Sequence, residues 1–185
     1  MEKEFSRRSF LKMGTTAAAA MAVSPSLLMG KEKKGKKAAP QPLDRKLKIL
    51  GVGIGGRGAS VLKGLESEDI IGLCDVDWKY AAHVFERYPN AKRYNDYRVM
   101  FKEMLDEADA VVVATADHTH AIIAAEAIAA GKHVYVEKPL THTVYESRLL
   151  TKRAAKHKVA TQMGNQGASE EGVNLACEWL WNGEI

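Results

Sequence analysis

From Leu47 to Met163 the chain switches repeatedly between short apolar runs and longer stretches with helical spacing. Five runs read as strands: Leu47–Val52, Ile70–Cys74 (IIGLC), Ala108–Thr115 (ADAVVVAT), His133–Val136 (HVYV) and Val159–Met163 (VATQM), with a weaker sixth at Arg93–Tyr94. They are rich in β-branched residues and lack polar alternation, as suits strands buried on both faces. Between them the spacing predicts helices over Trp78–Arg87, capped by Asp77 and stopped before Pro89; Tyr97–Leu105; Thr119–Ala130, closed by Gly131; and Val144–Lys156. A last helix runs from a Ser169 cap to Trp181. Strand and helix in alternation predict an α/β fold: a doubly wound parallel Rossmann sheet with helices on both faces.

The first forty residues break this pattern. SRRSFLK, Ser6 to Lys12, precedes an uncharged Ala/Gly/Thr/Met stretch from Met13 to Gly30. A twin arginine ahead of an apolar run is the twin-arginine export address, and Pro25 with the many small residues argues against a membrane-spanning helix. Ala20-Met21-Ala22 fits a small-x-small cleavage site, an uncleaved anchor being the alternative. Residues 31–45 (KEKKGKKAAPQPLDR) read as a flexible basic and Pro-bearing linker. The expected organisation is therefore signal 1–30, linker 31–45, nucleotide-binding domain 46–168, and 169–185 as the start of a helix leading onward. The expected location is the periplasm.

The leader also explains the charge. The chain carries 27 Lys/Arg against 23 Asp/Glu, and residues 1–39 hold 9 and 3 of these, which leaves 18 basic and 20 acidic residues in the body. A folded part near −2 has no basic footprint for nucleic acid, so that class of partner is excluded. Cys74 and Cys177 are the two cysteines; because twin-arginine substrates fold in the reducing cytosol, both are expected as free thiols.

The first strand ends in GVGIGGRG, Gly51 to Gly58, which contains G-x-G-x-x-G in two overlapping registers. The register Gly51, Gly53, Gly56 would put the tight turn inside the strand. Gly53, Gly55 and Gly58 instead place the turn at Gly53, close phosphate approach at Gly55 and helix-on-strand packing at Gly58. Asp75 closes the second strand about 20 residues on, where an acid accepts hydrogen bonds from the adenosine ribose and repels a 2′-phosphate. The cofactor expected is NAD rather than NADP, held by Gly53, Ile54, Gly55, Gly56, Arg57, Gly58 and Asp75.

Three further stretches, ATADHTHA (Ala114–Ala121), AGKHVYVEKPLTHT (Ala130–Thr143) and TQMGNQG (Thr161–Gly167), together with VGIGGRG, resemble the Gfo/Idh/MocA oxidoreductases, and more closely a twin-arginine-exported branch of Bacteroidetes-like bacteria. Ala116 stands where the family pattern carries Pro. The resemblance implies that Thr115, Asp117 and His120 line the cofactor and that Glu137 and Lys138 sit near the nicotinamide ribose. Lys138 is the expected catalytic residue. Pro139 follows it, in family members often through a cis bond. Asn165 and Gln166 follow the last strand, where amides suit the nicotinamide carboxamide or the substrate, a plain loop being the alternative. His142 reaches either the substrate or the next helix entry. Asp117, His118 and His120 do not share a helical face, so no metal site is expected.

The resemblance also implies a C-terminal substrate domain and a homo-oligomer in the full-length form. Ending at Ile185, the chain is expected to be a truncated product that binds NAD weakly and turns over little, with Trp179 and Trp181 as helix-packing or interdomain residues. The function expected is hydride transfer between a sugar, cyclitol or related polyol and tightly bound NAD. An NAD-dependent glycosidase using transient oxidation and a non-catalytic remnant are the alternatives.

Overall fold

The computed structural model describes residues 44–185; the export signal and most of the linker lie outside them. Six strands form one sheet: β1 (Lys48–Val52), β2 (Asp69–Cys74), β3 (Lys92–Tyr94), β4 (Ala110–Val113), β5 (His133–Glu137) and β6 (Thr161–Gly164). Their order is β3-β2-β1-β4-β5-β6 and all pairings are parallel. Among the described residues the α-helices are α1 (Arg57–Lys63), α2 (Ala82–Arg87), α3 (Tyr97–Met104), α4 (His120–Ala129), α5 (Val144–His157) and α6 (Glu171–Asn182).

The unbroken apolar runs follow from packing on two sides. Leu50, Val52, Val111 and Val113 face a core shared with Met100, Phe101, Met104, Ile123, Ile128 and Leu150 from α3, α4 and α5. Ile49 and Val112, offset by one residue, face a second core with Leu62, Val84 and Phe85 from α1 and α2. Successive side chains of one strand thus enter opposite cores, and neither face leaves room for a polar residue.

Local end signals hold for some helices and fail for others. Asp96 caps α3 by accepting from Arg98 N at 2.9 Å. At α5, Thr143 and Glu146 form a reciprocal capping box, and Glu146 also takes the His142 backbone N–H at 2.9 Å, which places His142 in the helix entry. Ser169 does not cap α6: Glu170 holds that position without a side-chain bond. The helix expected from Trp78 contracts to Ala82–Arg87, since Asp77 Oδ1 accepts from Tyr80 N and closes a separate turn first. No helix among the described residues is long and apolar enough to cross a membrane.

Candidate functional site

Register puts the site in one row. Val52 pairs with Cys74 and Val113, Val113 with Val136, and Cys74 with Tyr94. One residue beyond these partners stand Asn95, Asp75, Gly53, Ala114 and Glu137, and Glu137 pairs with Gly164 of β6. The chain leaves β1 and β4 in opposite directions across the sheet, so the row opens into a crevice at the switch point of the strand order.

The loop after β1 is built around backbone. Gly53 has φ +77°, and a Cβ there would lie 2.6 Å from Thr115 N, so only glycine brings β1 against the end of β4. A Cβ on Gly58 would run into the Gly53 carbonyl oxygen, which fixes α1 close under the loop. Gly51 lies within β1 and has φ outside the left-handed region. At Gly55 the tight neighbours are the Tyr80 ring and Ala81 N, so this glycine admits the chain that follows β2. Ile54 is buried in the α1 and α2 core and Gly56 precedes α1, which has no side-chain cap.

Asp75 fastens the loop to β2. Its Oδ2 accepts from Gly55 N at 2.8 Å and its Oδ1 from Asp77 N at 3.0 Å. Each oxygen retains acceptor capacity for a further donor. Beside it lies a cleft of about 870 Å³, lined from β1 to β4 by Gly53, Asp75, Tyr80, Asp96, Arg98 and Thr115 among others. Burial, with the charges of Asp75 and Asp96, pushes the Cys74 thiol up to about 12. Cys74 and Cys177 are both free.

Beyond β4, Thr115 lines the cleft and accepts from Thr119 Oγ1 at 2.7 Å. Asp117 is exposed in a short 3₁₀ turn, Asp117–Thr119. His120 does not fit the expectation of cofactor contact. It is 1% exposed, and its ring nitrogens meet the carbonyl oxygens of Pro139 at 2.7 Å and Thr115 at 3.0 Å. His120 therefore ties the loop after β4 to the turn after β5.

That turn is Glu137-Lys138-Pro139, with a cis Lys138–Pro139 peptide. Glu137, 4% exposed, collects Arg57 Nε at 3.1 Å, Gln166 Nε2 at 2.8 Å and Tyr135 OH at 3.3 Å on one oxygen. Arg57 thus pairs with Glu137 across the crevice, joining α1, β5 and the segment after β6. Burial and the Glu137 charge raise the Tyr135 phenol above its ordinary value. Lys138 and Asn165 are exposed at the rim, and neither side chain makes a hydrogen bond or ion pair among the described residues. Nor is any group of three or more His, Cys, Asp or Glu side chains among those residues placed to hold a metal.

A family model described as "Oxidoreductase family, NAD-binding Rossmann fold", GFO_IDH_MocA, matches residues 46–165. The chain belongs to the Gfo/Idh/MocA oxidoreductase family. A twin-arginine translocation signal matches residues 4–24 and marks this family member for export. Among curated Gfo/Idh/MocA relatives, inositol 2-dehydrogenase of Salmonella typhimurium is 27% identical over 144 residues, covering 74% of this chain and 41% of that protein. An α-N-acetylgalactosaminidase of Shewanella oneidensis is 29% identical over 159 residues, 76% of this chain and 35% of the relative. A solved structure, myo-inositol 2-dehydrogenase from Lactobacillus plantarum, superposes with TM-score 0.66 at 22% identity, covering 76% of this chain and 42% of that one, and supports the fold. The chain spans about two fifths of the length of the inositol dehydrogenase.

Sequence reasoning passed over Tyr80 and the segment Asn95–Arg98, which line the cleft. The signal was available: β3 ends at Tyr94, so the residues after it fall at the same carboxyl edge as Asp75.

Proposed function

We propose that this domain holds NAD for an exported oxidoreductase acting on a carbohydrate, cyclitol or related polyol. The observation that carries the reading is the cleft at the switch point, walled by Asp75 and continuous with the backbone turn at Gly53. The residues present fit a dinucleotide. The close approach of Gly53 to Thr115 leaves the crest of the loop without side chains, and the first turn of α1 has no side-chain cap to compete for its N–H groups. The spare acceptor capacity of Asp75 suits ribose hydroxyls.

In this reading Gly53, Gly55, Gly56 and the start of α1 hold the diphosphate, Asp75 the adenosine ribose, and Thr115 with Ala116 the wall opposite it. Bound NAD supplies a hydride acceptor, or a donor once reduced. Lys138, exposed and free at the rim, takes or returns the proton of a substrate hydroxyl or carbonyl. His120 orients that lysine from beneath by holding the Pro139 carbonyl, and Glu137 by accepting the Lys138 backbone N–H at 3.3 Å. Asp117 and Asn165, both exposed, meet the nicotinamide end or the substrate in this reading.

Calorimetric titration of the purified chain with NAD tests the reading. Asp75→Ala should weaken NAD by about tenfold, the loss of roughly 1.4 kcal/mol, and an unchanged dissociation constant would refute the ribose role. In a protein carrying its substrate-binding part, Lys138→Met should abolish turnover while NAD still binds.

The likeness to an α-N-acetylgalactosaminidase favours a second reading, in which hydride removal and return bracket the elimination of a glycoside. Release of a chromogenic aglycone with no net NADH would support it; stoichiometric NADH would support the dehydrogenase.

A further inference from the structure

The charged residues of the cleft are uneven. Among the described residues, three carboxylates, Asp75, Asp77 and Asp96, face it together with one cation, Arg98. That cation is engaged: Arg98 Nε meets Asp96 Oδ1 at 3.0 Å and Nη2 meets Oδ2 at 2.8 Å, a two-pronged pair. The Arg98 backbone N–H donates to the same Oδ1 at 2.9 Å, so the pair is fixed at the first turn of α3. Asp75 and Asp77 accept from the backbone N–H groups of Gly55, Asp77 and Tyr80, and among the described residues neither is ion-paired to Arg98.

We propose that Asp96 is a cofactor-selecting residue: by holding Arg98 in a two-pronged pair it withholds the cleft's one cation from a 2′-phosphate, and so reinforces the preference for NAD over NADP. The inference rests on dinucleotide binding in this cleft. Its physics is that of a masked phosphate receptor. A guanidinium bonds a carboxylate or a phosphate with the same planar fork, but not both through the same edge. NADP differs from NAD by one doubly charged group on the adenosine ribose, so it would enter a wall whose charge sums to −2. Freeing Arg98 brings that wall to −1 and exposes a matching donor fork.

The test measures dissociation constants for NAD and NADP side by side in the wild-type chain, Asp96→Asn, Arg98→Met and the double variant. Asparagine keeps a side-chain oxygen for the α3 cap but loses the ion pair. Asp96→Asn should shift the NADP-to-NAD affinity ratio toward NADP by about threefold to tenfold, and the double variant should return it to the wild-type value. The ratio is insensitive to general loosening, because the two ligands share every other group. A ratio within twofold of wild type in Asp96→Asn, or a gain that survives in the double variant, overturns the inference while leaving NAD binding intact. Failure of the wild-type chain to bind either dinucleotide overturns the nucleotide reading and this inference with it.

Discussion

The two halves of the sheet treat their site residues differently. On the β1–β3 side each group is fastened: Asp75 to two backbone N–H groups, Asp77 to a third, Asp96 to Arg98, and Gly53 against the β4 edge. On the β4–β6 side only the buried members are fastened, His120 between two carbonyls and Glu137 beneath three donors, while Lys138 and Asn165 stand free at the rim. A nucleotide's adenosine end is the same in every turnover, so a rigid receptor loses least entropy on binding it. In the proposed reading Lys138 exchanges protons with a changing substrate, which asks for a residue held through its backbone and left free at its tip.

Breaking the rigid side should cost most. Gly53→Ala puts a side chain at φ +77° and against the Thr115 backbone, and should lower unfolding free energy by about 3 kcal/mol or more in urea titration. His120→Ala comes next, since it removes a buried ring that donates to one of the Pro139 and Thr115 carbonyls and packs against the other, and it opens a cavity; about 2 to 3 kcal/mol is expected. A loss below about 0.5 kcal/mol would dissolve the distinction between fastened and free members of the β4–β6 side.

Asp109 serves as a reference far from the site. The Arg45 guanidinium and the Lys48 N–H hold its carboxyl well below the ordinary 3.8. Because the folded value is depressed, the pair's contribution is complete above about pH 4 and is lost as pH falls below it. Asp109→Asn should therefore be less stable than wild type at neutral pH, with the gap closing in acid; a gap independent of pH would contradict the pairing. Smallest of all, Lys138→Met should change stability by less than about 0.5 kcal/mol.

Most of the strand pattern was legible because both-sided burial leaves a local trace in composition: the runs at Ile70–Cys74 and Ala110–Val113 need no long-range information. The glycine register was legible for the same reason, since strand length places the turn. The role of His120 was not. Its partners, Thr115 and Pro139, are backbone carbonyls of two different turns, and a carbonyl leaves no mark in sequence. Ser169 misled because a serine before a helical pattern is a local signal, whereas the chain enters α6 one residue later. Tyr80 was hidden because its effect falls on a glycine 25 residues earlier.

The thiol between the cleft carboxylates has a bearing on the journey that the leader prescribes. With its proton held until about pH 12, Cys74 is thiolate in only about one molecule in 10⁵ at neutral pH. Disulfide exchange proceeds through the thiolate. An oxidising compartment therefore finds almost nothing to attack at this position: burial first, and then the charges of Asp75 and Asp96, keep this sulfur inert.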